Sequence, residues 1–282
     1  MDFVRYNLKF LSLEAILFFY LFFSGCGPQV PKKIVTCPPA ESAVQAIDAL
    51  KSKPENMVSI KVNGQCRLSY YVDDKSKPQT ENFNVKIWFN PPNEIYLQGD
   101  IAFNAKGLVL GSNEEEFWFS VKPEVDSYWW GRWSELDNSA KLMINPEILL
   151  EAFGVVKTDA GAALSSEDGF DVIVRKNTVG SISRKIYIDR CSHQVVRIVH
   201  FNEKGKKVVN AGFDEYKKIG DNYSVPFRVE IETNFNGEKK DFVRLKLQSV
   251  TPMEFSKKQK VLLFNRPEPK GFKHIYKLGE NF

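Results

Sequence analysis

The chain has 282 residues, 43% hydrophobic and 26% charged, with a net charge of +4 that is spread rather than blocked. These proportions exclude a disordered or collagen-like polymer and suit one globular domain, while 22 Phe, 10 Tyr and 5 Trp favour strands over helices. Dispersed mild basicity suits an anionic membrane surface and carries no nucleic-acid signature.

In chain order, the first feature is an apolar run over residues 15–23, preceded by Arg5 and Lys9 and too short to span a bilayer as a stable helix. It ends in Ser24-Gly25-Cys26, which resembles the lipobox of bacterial lipoproteins. That resemblance implies a signal peptide over 1–25, acylation of the Cys26 thiol and of the new amino terminus, and membrane attachment through those chains. An ordinary secretory signal with an incidental cysteine is the alternative. Residues 26–40 carry Pro28, Pro31, Pro38 and Pro39 and are expected to form an extended tether, leaving 41–282 as the folded domain. If Cys26 is acylated, Cys37, Cys66 and Cys191 form an odd set that implies no disulfide scaffold, although an oxidising compartment permits a Cys37–Cys66 bridge.

Residues 41–52 place Val44, Ile47 and Leu50 on one helical face, closed by Pro54. From Val58 the apolar period becomes two. One long strand runs past Gly64 to Tyr70, with a bulge expected at the glycine, and residues 83–89 return as its antiparallel partner. Further strands are predicted at 94–101, 108–111, 116–122 and 128–133. Asn145, Pro146, Glu147 and Gly154 bracket a helix with the residue types preferred at its two ends. Six more strands follow between residues 170 and 252, with hairpin signals at Asn236-Gly237 and around Gly205. The tail beyond residue 252 reads as mostly irregular, with Phe264, Phe272 and Tyr276 available to pin it to the sheet. The expected fold is mainly β: about eleven or twelve antiparallel strands in a curled sheet whose concave face is plugged by two helices.

The succession of helix, long strand with a central glycine, Trp88-Phe89 strand, Asn90-Pro91-Pro92-Asn93 turn, Phe117-Trp118-Phe119 strand and the 145–154 helix resembles the LolA/LolB group. That group comprises lipoprotein carriers and outer-membrane lipoprotein receptors built as a half-open β-barrel with a helical lid. The resemblance implies lipid or lipidated protein as ligand, a periplasmic carrier protein as a partner, and an outer-membrane location facing the periplasm. Gly27, standing where Asp retains enterobacterial lipoproteins in the inner membrane, agrees with that location. It further implies a cavity lined by Trp88, Phe117, Trp118, Phe119, Trp130, Ile148, Leu149 and Phe153, residues that would equally suit a filled core. The connection after the third strand, with Ile101 and Phe103, is where the lipid-anchored receptors carry a membrane-touching apolar residue; an inward-facing strand end is the other reading of Phe103. An envelope sensor or interaction lipoprotein with a filled cavity is the rival function.

No catalytic motif is recognisable, and neither the spacing of the three His nor that of the Cys suggests a metal site. Acidic pairs such as Asp73-Asp74 sit in turn-like stretches as solvated charges. The chain is therefore expected to bind rather than catalyse, without a cofactor.

Overall fold

The computed structural model describes residues 37–51, 56–71, 77–101, 104–123, 125–135, 146–156, 161–219, 223–236 and 239–279. The expected signal peptide, Cys26, Phe103 and Asn145 lie outside the described residues. The unit from Pro38 to Phe282 is built on one 14-stranded sheet.

Its first half is a meander: β1 (Ile60–Tyr70), β2 (Gln79–Asn90), β3 (Glu94–Ile101), β4 (Asn104–Ser112), β5 (Glu116–Val121) and β6 (Ser127–Arg132). Helices α1 (Ala43–Lys51) and α2 (Pro146–Ala152) precede and follow it. The second half is another meander: β7 (Ala163–Glu167), β8 (Phe170–Lys176), β9 (Ile182–Asp189), β10 (Val195–Phe201), β11 (Lys207–Ile219), β12 (Tyr223–Asn236) and β13 (Lys239–Pro252). Helix α3 (Lys257–Phe264) and strand β14 (His274–Leu278) complete the chain. The two meanders join where β1 pairs antiparallel with β13, so the sheet runs from β14 through β6 and β1 to β7 and stays open at both edges. Thus two strands, β7 and β14, and one helix, α3, exceed the elements expected from the sequence.

Alternation does most of the building. In β1 the side chains of Ile60, Val62, Cys66 and Leu68 are buried, while Lys61, Gln65 and Arg67 point to solvent. The bulge at Gly64 is real, but its extra residue is on the partner: Asn63 faces Ser249 and Gly64 faces Leu247, which leaves Gln248 unmatched. A Cβ at Gly64 would stand 2.7 Å from the Lys246 carbonyl oxygen, so only glycine lets β13 approach this closely.

One apolar core unites residues of both halves of the sheet with Ala46, Ile47 and Leu50 of α1 and Ile148, Leu149, Leu150 and Phe153 of the α2 segment. A sheet whose distant strands share one core is necessarily curled, and α1 and α2 occupy its concave face. In α1 the buried face is Ala46, Ile47 and Leu50; Val44 is 66% exposed, because a residue one step from Ala43 falls about 100° round the helix.

A second apolar cluster, Tyr96, Trp118, Tyr128 and Phe264, lies on the opposite, outer face and is covered by α3. Ser256 starts α3 with a capping box: its hydroxyl accepts from the Gln259 N–H, and the Gln259 side chain accepts from the Ser256 N–H. Strand β14 then pairs parallel with β6, Tyr276 stacking on Trp129 with ring centroids 5.7 Å apart. These contacts account for a strand, β5, with side chains buried on both faces: Phe119 packs into the concave core and Trp118 under α3.

Candidate functional site

At one end of the concave face an apolar cavity of ≈ 70 Å³ opens between the last residues of β1, β3 and β5 and the first half of β6. Leu68, Tyr70, Ile101, Phe119, Val121 and Trp129 form most of its wall, with Lys122 and Glu81 contributing charges. The period-two pattern explains the wall: Leu68, Phe119 and Val121 are inward positions of their strands, and Phe119 stacks on Trp129 at 5.5 Å. A surface of this kind offers hydrocarbon a dry, non-directional contact.

Helix α2 crosses the same concave face, with contacts to β4 and to β12. Pro146, Ile148, Leu149, Leu150, Glu151 and Ala152 are all buried, Leu149 completely, and Phe153 stacks on Phe89 at 5.2 Å. Tyr223 donates a hydrogen bond of 2.8 Å to the Phe153 carbonyl, closing the C-terminal end of the helix. Glu151 forms a buried ion pair with Arg184 of β9, their side chains being 1% and 4% exposed. His200 of β10 stands opposite Arg184 in the ladder, and its Nε2 is buried without a hydrogen-bond partner among the described residues. Burial, helped by the Arg184 and Arg175 charges, pushes the imidazole down to about 3, so it is neutral at physiological pH.

Beyond α2, a second cavity of ≈ 300 Å³ lies among α1, α2 and strands β10 to β12. Its wall mixes Leu50, Met57 and Val195 with Glu151, Tyr216 and Lys218. Tyr216 donates to the Val195 carbonyl at 2.6 Å, and burial pushes its phenol, like that of Tyr223, well above the usual tyrosine range. This larger space is too polar to be a simple hydrocarbon slot.

The structure divides the aromatic and aliphatic residues singled out in the sequence. Phe119, Ile148, Leu149 and Phe153 meet in the concave core, and Phe117, two residues from Phe119 on the same side of β5, lies 4.8 Å from Trp133. Trp88, Trp118 and Trp130 do not join them; they belong to the outer cluster beneath α3, because each is one residue out of phase with an inward neighbour. Of these eight, only Phe119 lines the apolar cavity. Ile101 is 6% exposed and forms part of the same wall, which places it in the core and not at a projecting tip. It pairs with Asn104 of β4. Leu68 and Val121 were not singled out, although their inward parity on β1 and β5 was available in the alternation.

Cys37 and Cys191 are disulfide-bonded, whereas Cys66 is a free thiol, buried on the concave face and pushed up to about 12 by that burial. The Cys37–Cys66 bridge that the sequence permits is therefore not formed. Among the described residues no cluster of three His, Cys, Asp or Glu could hold a metal, and no helix is long and apolar enough to cross a membrane.

No protein-family model matches the chain, and no curated protein sequence does either. Solved structures do resemble it. A domain described as an outer membrane lipoprotein-sorting protein from Vibrio parahaemolyticus superposes with a TM-score of 0.52 at 12% identity, covering 77% of this chain and 94% of that one. A LolA superfamily protein from Nitrosomonas europaea gives 0.48 at 12% identity over 78% and 97%, and a DUF1329 family protein from Desulfovibrio piger gives 0.46 at 13% over 75% and 93%. At such identities the likeness concerns the fold alone. The curled open sheet with helices on its concave face is LolA/LolB-like in fold.

Proposed function

We propose that the chain is a periplasmic lipoprotein, held at the outer membrane by acyl chains on Cys26, that binds lipid or lipidated protein on its concave face and assists its placement in the membrane. The observation that carries this reading is the apolar cavity beside Phe119 and Trp129 at the open end of a lipoprotein-sorting type of fold. Its ≈ 70 Å³ is well short of the ~300–1,000 Å³ of ordinary ligand pockets, so a whole acyl chain fits only when part of the concave core around it, in which Phe119 and α2 share one cluster, gives way. In this reading α2, which is packed on that face, is the element that moves on binding and returns on release. A periplasmic carrier protein would deliver the ligand; the chain itself supplies no catalytic step.

The rival reading, an interaction or sensor lipoprotein with a filled interior, is favoured by the same tightness: Ile148, Leu149 and Phe153 are each at most 2% exposed. Val121→Trp separates the two. The indole fills the cavity from a half-buried position at the end of β5. A fluorescent fatty acid titrated into the chain from Gly27 onward should bind to the unsubstituted protein and bind at least about tenfold more weakly to the variant, a difference of about 1.4 kcal/mol. Equal binding by the two, or none by either, removes the cavity from the function.

A further inference from the structure

The tail carries two features that the fold does not use, and they occupy one surface. Three lysines, Lys257, Lys258 and Lys260, stand in the first four positions of α3, where no acidic residue accompanies them. Cations at a helix N-terminus oppose the helix dipole, and all three side chains are exposed without an ion-pair partner among the described residues. Next to them Val261 and Leu262 are 61% and 77% exposed, two consecutive large aliphatic side chains facing away from the sheet that Phe264 packs against. Lys258, Val261 and Leu262 are three and four residues apart and so share one face of the helix. Neither the charges nor the exposed aliphatics contribute to folding in that arrangement.

The surrounding segment has the same character. From Ser256 to Gly279 seven Lys and Arg stand against one acid, Glu268, so this stretch alone exceeds the +4 of the whole chain, and the basicity is concentrated here and not evenly spread as expected above. Half-buried aromatic rings at its base are overlaid by cations: Arg266 lies 4.0 Å from the Trp130 ring centroid, and Lys122 lies 4.1 Å from that of Phe272. Apolar side chains flanked by basic ones, over an aromatic floor, match a membrane–water interface, in which aliphatic tips enter the acyl boundary and ammonium groups stay at anionic headgroups.

We infer that the solvent face of α3 is a membrane-contacting surface of the folded domain, with anionic phospholipid as its partner. Val261 and Leu262 insert shallowly while Lys257, Lys258 and Lys260 meet the headgroups. The surface is separate from the concave cavity and from the acyl anchor, so it stands whether or not the proposed lipid binding holds. Its effect is to orient an anchored domain, outer face of β3 to β5 toward the bilayer.

The test is sedimentation of the chain from Gly27 onward, which keeps every described strand and helix and lacks Cys26, with vesicles of phosphatidylcholine alone or with about one third phosphatidylglycerol. The unsubstituted chain should bind the anionic vesicles and lose that binding at high salt. Each lysine near the surface is worth roughly fivefold, so replacing all three by Gln should weaken binding about a hundredfold. Leu262→Ser with Val261→Ser should also weaken it at low salt, where the lysines remain. Both variants alter exposed positions, and unchanged thermal melting verifies that they fold. Absence of binding to anionic vesicles, or binding by the lysine variant equal to that of the parent, overturns the inference. So does equal binding to both kinds of vesicle, which would mean that charge plays no part.

Discussion

Arg184→Ala is expected to destabilise the domain by about 3–5 kcal/mol, the cost typical of breaking a buried ion pair by removing one partner. Glu151 is on α2 and Arg184 on β9, so the pair fastens the helix to the second meander from inside the core. Desolvation makes such a pair costly to build and more costly to break, since the remaining carboxylate stays in a low-dielectric setting. Exposed pairs behave differently. Arg244 and Glu230, 46% and 37% exposed, lie 2.7 Å apart on adjacent strands, and Arg244→Ala should cost less than about 1 kcal/mol. Urea denaturation followed by circular dichroism compares the two variants. A loss at Arg184 no larger than that at Arg244 would mean that the ion pair does not hold α2. Replacing Arg184 by Met together with Glu151 by Leu should recover most of the lost stability, because both charges then leave the core.

Leu149→Ala should cost about 2–5 kcal/mol, from lost burial and from the cavity left behind. Leu149 is fully buried in the concave core, on the helix proposed to move on binding. Its neighbours Ile148 and Phe153 are packed equally tightly, so the site cannot collapse without shifting the whole helix. The created space lies on the concave face, so a fatty acid should bind the variant more tightly than the parent even as stability falls. A loss below about 1 kcal/mol with unchanged binding would place Leu149 outside both the packing and the ligand path.

Much of this fold was legible because the residues that specify it act locally. Alternation in β1 and β2, the Pro146 and Gly154 ends of α2 and Gly205 at its hairpin each fix a short piece of backbone. The missing elements are those whose reason to exist is tertiary. Strand β7, Ala163–Glu167, is a short edge with few apolar residues, and it is a strand because β8 pairs with it. Helix α3 had its capping box in the sequence, Ser256 and Gln259, but its lysines and exposed aliphatics hide any amphipathic period. The cavity residues show the same limit. Trp88, between Ile87 and Phe89, has outward parity on β2, and Trp118 and Trp130 follow it; aromatic density alone suggested a lining. Only α3 over the outer face explains why such large rings are buried there.

The proposed function requires the concave face to accept an acyl chain, which native mass spectrometry of the chain from Gly27 onward, purified from cells without detergent, would reveal. A fraction of molecules should be heavier than the polypeptide by the mass of a fatty acid or phospholipid, with the added mass released on denaturation and absent from Val121→Trp. A spectrum showing the bare polypeptide alone, with no lipid in the denatured extract and none taken up from added fatty acid, would contradict it and leave the filled-interior reading in its place.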